Sequence, residues 1–552
     1  MSILSVGQSA LNAAQVGLVT TGHNIANAST PGYNRQVVIQ GAVGGQDSSY
    51  GFVGKGTEVT AVRRVYSEFL GNQVVSTQTA KGQLDSYYSQ IQQVNNMLAD
   101  SKSGLSPALQ DFFSSIAATT SDPSSAAARQ SMLSSANTLA GRFQDMDAQL
   151  DEQRQGVNTG IRSSVEGINI HAQQIGKLND AIEKAMNNGG NAPNDLLDLR
   201  DRAVSELSKE IKLSVVKQGN TFNVMIGSGQ PLVVGNKTYN LSVAQSPTDA
   251  GRAEVAYDIG GKSVMLAEDS ITGGTLGGLM EFRARTLDAT QNALGRVAIT
   301  LATEFNRQHA LGQDQTGLPG GEFFKVGAPL VAPSSANSKG VNGSPMGGVT
   351  ASFNPLATKS LTTSDYKVQI TDATTTPVSY SVLRLSDNTA FGNSPGEVDG
   401  VQFKLTDSPS TGDTFLVRPT ASGASAATGI RVRISDPANI ALGNSSASGD
   451  NLNALALAKL QSAITTNGNA SFQGAYSQLV NQVGNKTREL EVTSAAAGQL
   501  YSSAVTAQQS ESGVNLDEEA ANLMKYQQAY QAAGKLMKTA SDMFDVLLSL
   551  GA

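Results

Sequence analysis

The sequence predicts an α+β protein in which the two chain ends form a long helical-bundle or coiled-coil rod with two inserted β-rich domains. Three observations lead to this fold class. Heptad patterns of apolar residues occupy both ends of the chain, and helical periodicity extends over more than fifty residues in between, with one stutter near Gly160. Two separate regions instead show the two-residue period of β-strands.

The N-terminal segment carries a heptad pattern of large and small side chains. Large apolar residues recur every seven positions, at Leu4, Leu11, Leu18 and Ile25. Small residues stand three positions later, at Gly7, Ala14, Thr21 and Ala28. Such a pattern favours close packing against another helix. The helix should end before Pro31, because proline disfavours a helical Thr30 and Pro31-Gly32 suits the centre of a type II turn.

The C-terminal segment carries a second heptad pattern. Its large positions are Leu516, Leu523, Tyr530, Met537 and Phe544. Asn515 can cap this helix, with Glu518 as the capping-box residue. Most amphipathic helices are ordinary core elements of globular proteins. Because the two patterns match, we instead expect the two helices to pair, with the large residues of the first helix against those of the second.

Helices are also predicted between the two ends. One begins near Ser67, and a second lies between Ser106-Pro107 and Asp122-Pro123, where a capping residue precedes proline. The longest runs from Pro123 to about Asn187, and at this length it is a rod on the order of 80 Å long.

Shorter helical patterns complete the α-helical part. They cover residues 194–211, 276–311 and 472–504. In the first of these, Asp198 is placed to pair with Arg202 one turn later.

Two regions are predicted to be β-rich. The first contains strand patterns at 212–216, 221–226, 254–259 and 263–267. The second follows a Gly/Ser/Pro-rich linker at 333–348, and its strand patterns lie at 366–371, 378–385, 401–406, 414–418 and 430–434.

We therefore divide the chain into four units, two of which are assembled from separate segments. A terminal coiled-coil unit combines 1–66 with 512–552, and a helical rod combines 67–211 with 275–316 and 451–511. Residues 212–274 form a small β domain. Residues 317–450 form an inserted β-rich outer domain.

Composition excludes several classes of function. The chain of 552 residues has a net charge of −7 and no dense Lys/Arg cluster, which argues against nucleic-acid binding. It contains no cysteine, so disulfides, thiolate metal sites and cysteine nucleophiles are excluded. No signal-peptide pattern and no apolar run of membrane-spanning length are present.

The sequence offers no convincing catalytic, cofactor or metal site. His23, His171 and His309 lack metal-ligand spacing, and His309 stands in the last turn of a helix, where a cation complements the dipole. The stretch AYDIGGKS, residues 256–263, lacks the first glycine of a P-loop, and its Gly260 to Lys262 segment is predicted to be a hairpin turn. The aspartates at 195, 198 and 201 could bind a cation, but their spacing is more typical of a solvated, salt-bridged helix face.

Two terminal motifs carry a resemblance to a known family. NIANASTPGYNRQ, residues 24–36, resembles the N-terminal signature of the bacterial flagellar rod, hook and hook-associated proteins. Its motif residues are Asn24, Asn27, Pro31, Gly32, Tyr33, Arg35 and Gln36. SGVNLDEEAANLM, residues 512–524, resembles the matching C-terminal signature. Within this family, Arg35-Gln36, NDLLDLRD at 194–201 and GLPGGEFF at 317–324 indicate a protein of the hook–filament junction.

The resemblance implies a structural protein of the flagellum that is not an enzyme and has no cofactor. It would be exported without a cleaved signal peptide and would form an extracellular ring of about eleven subunits. Its partners would be other copies of itself, the hook protein, a second hook-associated junction protein and an export chaperone, with neither nucleic acid nor membrane. The assembly interface would comprise Leu4, Leu11, Leu18, Ile25, Leu516, Leu523, Tyr530, Met537 and Phe544.

Two alternatives stay open at this point. Another axial component, a hook or distal rod protein, would share the terminal signatures, although the long helix favours the junction. A surface adhesin or an enzyme carried on a flagellar scaffold is the second alternative. The absence of histidine from 325–450 argues against a metallopeptidase there.

Overall fold

The computed structural model describes residues 3–48, 51–100, 102, 104–189, 192–249, 251–339, 347–407, 409–425, 429–445, 447–466 and 468–551. It confirms the α+β class, with long helices at both ends and small antiparallel sheets between them. The helices are α1 Ile3–Ala26, α2 Glu68–Leu98, α3 Leu105–Ser121, α4 Ala126–Gly189, α5 Asn194–Glu210, α6 Gly274–Phe282, α7 Asp288–His309, α8 Leu452–Lys459, α9 Phe472–Ser512 and α10 Leu516–Gly551.

The strands fall into three groups along the chain. Next to α1 are β1 Gln36–Ala42, β2 Gln46–Ser48, β3 Gly51–Val53 and β4 Thr57–Arg64, with β1 antiparallel to β4. The first β region contains β5 Leu213–Gln218, β6 Thr221–Ile226, β7 Gln230–Val234, β8 Lys237–Thr238, β9 Leu241–Gln245, β10 Ala253–Ile259 and β11 Lys262–Met265. They form sheets in the orders β5-β6-β7-β8 and β11-β10-β9.

The second β region has its own apolar core, which includes Val368, Val382 and Phe415 and is shared with Ile299 of α7. Its main sheets have the orders β13-β20-β15-β16-β17 and β14-β19-β18. The strands are β12 Phe324–Lys325, β13 Leu330–Pro333, β14 Gly347–Phe353, β15 Tyr366–Asp372, β16 Ser379–Arg384, β17 Thr389–Phe391, β18 Glu397–Val398, β19 Val401–Asp407, β20 Thr414–Arg418 and β21 Arg431–Val432. Part of the predicted linker at 333–348 lies outside the described residues.

The predicted rod is α4, which contains 64 residues and is on the order of 100 Å long. Its apolar positions recur at spacings of three and four, so they stay on one side of the helix and bury against α3, α5 and the first β region. The buried side chains include Met132, Leu139, Phe143, Leu150, Val157, Ile161, Ile168, Ile175 and Ile182.

Three asparagines of α4 attach the first β region to the rod. The Asn169 side chain donates to the carbonyl of Leu241 (2.8 Å) and accepts from the Leu241 N–H (2.9 Å). Asn158 bonds the backbone at 251 and 253 in the same way, and Asn179 bonds Phe222 and Gly235. Each amide therefore satisfies backbone groups that would otherwise be buried without partners.

The helix predicted over 276–311 is interrupted by a π-helix at Arg283–Leu287. Its Arg283 is fully buried and donates to the Ala253 carbonyl. A second set of arginines surrounds Asp288 just after the π-helix. Arg154 of α4 and Arg252 bind the Asp288 carboxylate at 3.0 and 2.7 Å, and Arg418 at the end of β20 approaches it at 4.0 Å. This cluster connects the rod to both β regions.

Several local predictions are confirmed and two are wrong. Ser67 caps α2, and Gly260 and Gly261 form the β10–β11 hairpin turn with φ of +57° and +80°. The N-cap of α3 is Gly104 rather than Ser106. His309 is not a helix-end cation, because burial lowers its pKa and its Nε2 accepts the Ala441 N–H at 2.8 Å.

Within the described part of the chain, no helix has the length and apolar character needed to cross a membrane. The described side chains likewise form no group of three or more metal-ligating residues.

Candidate assembly site at the paired chain ends

Small residues of α1 pack against larger side chains of α10. The buried residues of α1 are Gly7, Ala13, Ala14, Gly17, Thr20, Thr21 and Asn24. A side chain at Gly17 would stand 2.4 Å from the ring of Tyr526, and one at Gly7 would stand 2.8 Å from Met537. The packing of the Tyr526 and Met537 side chains onto α1 therefore leaves no room for a larger residue at Gly17 or Gly7 unless these side chains move.

The large residues of the two heptad patterns do not make this intramolecular contact. Leu4 and Ile25 are exposed, and Leu11 and Leu18 are half-buried. On α10, Leu516, Leu523, Tyr530 and Phe544 are exposed, and Met537 is half-buried beside Gly7 of α1. The expected pairing of large residues within one chain is therefore wrong. On α1 the small residues of the pattern face the partner helix, whereas the large residues are exposed or half-buried.

The family motif forms a hydrogen-bonded centre around the buried Asn24. Its Nδ2 donates to the Gln36 carbonyl (2.8 Å) and to Glu519 Oε2 (3.1 Å). Its Oδ1 accepts from the Gln36 N–H (2.9 Å) and from the Tyr33 hydroxyl (2.7 Å). All of the hydrogen-bonding capacity of one side chain is thus used to hold the end of α1, the start of β1 and the start of α10 together.

Arg35 joins the motif to α10. Its Nε donates to Glu519 Oε1 at 2.8 Å, and its Nη1 donates to Glu518 Oε2 at 2.6 Å. The backbone N–H of Arg35 donates to the Ser512 carbonyl at the end of α9. Glu518 therefore binds Arg35 rather than closing the predicted capping box, although Asn515 does cap α10 through the N–H of Asp517. Of the two carboxylates, Glu519 is the buried one.

A second set of contacts seats the motif on α5. Asp198 accepts from the backbone N–H and the Nδ2 of Asn34, at 3.0 and 2.6 Å, and from Arg64 at 2.8 Å. Gln36 donates to Asp195 at 3.0 Å. Asp198 thus pairs with Arg64 and not with Arg202 as the sequence suggested. Asp201 also binds Arg64, and the exposed Asp195 accepts from Gln36, so the aspartate series is a partly solvated, salt-bridged face that holds the terminal segment.

The predicted turn at Pro31-Gly32 is confirmed. The Tyr33 N–H donates to the Thr30 carbonyl at 3.2 Å, and Gly32 has a φ of +82°, as the third residue of a type II turn requires. This turn carries Tyr33 back to Asn24. Burial raises the pKa of Tyr33, with the carboxylates of Asp195 and Asp198 acting in the same direction, so its hydroxyl remains a donor at neutral pH.

The joint between the terminal pair and the rest of the molecule is polar. The large apolar core runs through α2 to α9 and includes no described residue of α1 or α10. What links the pair to the body is the set of hydrogen bonds and ion pairs around Asn34, Arg35, Gln36 and Arg64. We therefore identify this joint, together with the exposed large residues of α1 and α10, as the candidate assembly site.

Replacing Glu519 by glutamine is expected to loosen this joint. The new amide NH₂ would face either the Arg35 guanidinium or the Asn24 NH₂, so a buried donor loses its acceptor at a cost of about 1–3 kcal/mol. Hydrogen exchange of α1 and the first turns of α10 should accelerate about tenfold. Glu518→Gln is the matched control, because Glu518 is exposed and its loss should change exchange little. Equal effects of the two substitutions would contradict this account.

Comparison with known proteins gives matches at both ends and in the middle of the chain. Residues 4–34 match the family model described as flagella basal body rod protein, and residues 508–550 match the flagellar basal body rod FlgEFG protein C-terminal model. These are the segments that form α1 with its turn, and α10. The fold and the site therefore define a structural protein of the flagellar axial class.

The remaining matches specify the family. Residues 91–324 match the helical domain of flagellar hook-associated protein FlgK, and residues 337–419 match the D2-like domain of flagellar hook-associated protein 1. The flagellar hook-associated protein 1 of Salmonella typhimurium and that of Escherichia coli K12 are each 36% identical to this chain, with complete coverage of both chains. This chain belongs to the flagellar hook-associated protein 1 family, whose members are structural proteins of the hook–filament junction.

A solved structure agrees with this assignment. The flagellar hook junction protein FlgK from Burkholderia pseudomallei superposes with a TM-score of 0.71 and 26% sequence identity. The match covers 80% of this chain and all of that one.

Proposed function

We propose that this protein forms the junction ring that joins the hook to the filament and supports filament assembly. The observation that carries the proposal is the face of the α1/α10 pair that stays uncovered within one chain. Exposed large apolar residues of the pair include Leu4, Val19 and Ile25 of α1 and Leu516, Leu523, Met524, Tyr530, Phe544 and Leu548 of α10.

Such a face is unusual for a protein that acts as a monomer. Contiguous apolar patches on a monomer are normally small, and larger ones mark interaction sites. Fully burying one leucine or phenylalanine side chain stabilises an assembly by about 1.5–3 kcal/mol. Copies related by rotation about one axis could cover these residues through two-sided, heterologous contacts. In this proposal the terminal pairs form the inner layer of a tube of about eleven copies.

The other parts of the proposal follow from membership of the family. The hook protein would bind one side of the ring and the second hook-associated junction protein the other. An export chaperone would deliver the chain, which would leave the cell without a cleaved signal peptide and act outside it without catalysis. We retain the four-part division, with the terminal unit innermost and 317–450 outermost.

Leu11→Asp combined with Leu18→Asp tests the assembly interface. Both side chains are half-buried beside the close α1/α10 contact but not in it, so the fold of the monomer should survive. Two carboxylates in a covered apolar layer would be desolvated without partners, and incorporation at hook ends should fall below detection. Immunodetection on isolated hook–basal bodies measures incorporation, and circular dichroism of the purified monomer checks the fold.

Ile170→Asp is the matched control, because Ile170 is exposed on α4 and far from the terminal pair. It should leave incorporation unchanged. Normal filament growth from the double variant would refute the interface. In a strain lacking this protein, flagellin should be shed into the medium while hooks remain. Attached filaments in that strain would refute the junction function itself.

A further inference from the structure

A cleft of about 950 Å³ lies where the terminal pair meets the body of the molecule. The Pro31-Gly32 turn and the end of β4 form one side. The start of α2, the length of α5 and the end of α9 form the others. The contacts described above do not fill it, so it is open to a ligand or to another protein chain.

The side chains that line the cleft carry an excess of positive charge. Arg64 is paired with Asp198 and Asp201, and Lys209 is paired with Glu206. Four further cations line the cleft and form no salt bridge within the described residues. Among the carboxylates that line the cleft, Glu68 is the one that forms no salt bridge there. These cations are Arg63, Arg200, Arg202 and Lys217.

Arg200 is the unusual member of this set. It is only 2% exposed, yet its hydrogen-bond partners are neutral: its Nη1 donates to Asn179 Oδ1 and to the Asn220 carbonyl. Its Nε has no hydrogen-bond partner, and its guanidinium stacks 3.6 Å from the centre of the Phe222 ring. Burial lowers the pKa of Arg200 to about 10. The nearby carboxylate of Asp201 offsets the cost of burying this cation only in part, and an incoming carboxylate would offset more of it.

We propose that this cleft receives the carboxylates of Glu511 and Asp517 from a neighbouring copy of the same chain. Glu511 lies in the last turn of α9 and Asp517 in the first turn of α10, and both are exposed. Neither forms a salt bridge within the described part of the chain. They flank the connection at Gly513 and Val514, which itself borders the cleft.

The choice of partner rests on the proposed tube. Copies related by an axis place the same residue at the same radius, so the cleft of one copy meets the groups that surround the cleft of the next. Among those groups, the α9–α10 connection supplies exposed carboxylates. The contact would be heterologous, because the cleft of one copy would bind the α9–α10 connection of the next. Its charges would fix the alignment of neighbouring copies, which the apolar contacts of α1 and α10 do not specify. It would weaken as salt concentration rises.

A charge exchange tests this contact. Arg202→Glu combined with Lys217→Glu reverses the charge of the cleft. Glu511→Lys combined with Asp517→Lys reverses the charge of the α9–α10 connection. Each pair should reduce the amount of protein retained on hook–basal bodies after a wash in 0.5 M salt at least fivefold. The chain that carries all four changes should regain most of the native retention, because both partners are then inverted. Lys237→Glu with Lys262→Glu is the matched control, since both lysines are exposed on the first β region.

The outcomes separate this inference from the proposed function. If the native protein is absent from hook ends, the function fails. If the native protein is retained and the two reversed pairs are retained equally well, the cleft contact alone is wrong. Loss of retention in both pairs without recovery in the fourfold variant also overturns the contact. Circular dichroism of each monomer checks that the fold is kept. A photo-crosslinker at position 217 should give crosslinked peptides that belong to this chain rather than to the hook protein.

Discussion

Replacing Asp288 by asparagine is expected to destabilise the body of the molecule by about 3 kcal/mol, because it removes the carboxylate that three arginines share, although each arginine keeps another carboxylate partner. Arg154, Arg252 and Arg418 come from segments far apart in the sequence and converge on this one carboxylate. An amide keeps one oxygen as acceptor but presents its NH₂, a donor, to the second guanidinium. The thermal transition should therefore move down by several degrees.

The Asp288 effect should depend on pH in a defined direction. Burial opposes ionisation, but the guanidinium groups of Arg252, Arg154 and Arg418 outweigh it, so the pKa of Asp288 lies below its usual value. Its contribution is therefore complete above the unfolded pKa near 4 and is lost as the pH falls through the lower, folded value. The difference between native and variant should be largest at pH 7 and shrink in acid.

Asp145→Asn is the matched control for Asp288. Asp145 pairs with Arg142 on the exposed side of α4, at 3.7 Å and with its side chain largely in solvent. Screening by water makes such a pair weak, so the transition temperature should not move measurably. Equal shifts for the two asparagine variants would show that the buried cluster does not stabilise the fold.

Valine at Gly295 is expected to cost about 3 kcal/mol or more by overpacking. A Cβ built at Gly295 of α7 would stand 1.7 Å from the Thr420 carbonyl oxygen, and one at Gly423 would stand 2.3 Å from the Gly295 carbonyl. The obstacle in each case is backbone, which cannot rotate away. Hydrogen exchange over residues 414–425 should accelerate strongly, and the thermal transition should fall.

Gly141→Val supplies the comparison for Gly295. Nothing lies within 4 Å of a Cβ at Gly141 on α4, so valine there changes only helix propensity and should leave stability within about 0.5 kcal/mol of native. A similar loss at both positions would mean that the close approach of α7 to the second β region is not the cause.

Much of the fold could be predicted because its causes are local. The three- and four-residue spacing that defines α4, the Ser67 cap and the glycine pair at 260–261 all act over a few residues. The π-helix at 283–287 was not predicted. Its signal was available as the five-residue gap between Phe282 and Leu287, where a regular helix would leave three or four. Strand β14 was missed because its first two residues are glycines that continue a linker pattern.

The assembly site was predictable only in part. The turn at Pro31-Gly32 follows from its own sequence, but the partners of Asp198 lie 134 and 164 residues away and no pattern connects them. The role of Glu519 could not be predicted, since its burial by Asn24 and Arg35 depends on the pairing of the chain ends. Heptad spacing identified a contact stripe on α1. It could not tell whether the large or the small residues of that stripe face the partner helix.

The polar joint would have a mechanical consequence in the proposed tube. Packed apolar cores resist deformation, as does the continuous hydrogen bonding of α4. The connection at Asn34–Gln36, Val65 and Ser512 instead depends on a few directional bonds beside an open cleft. The joint, the rod and the β regions carry the same load one after another. The most easily deformed of them therefore takes up most of the displacement. When the tube flexes, angular displacement should therefore be taken up at this joint, while the rod and the β regions move as stiff bodies.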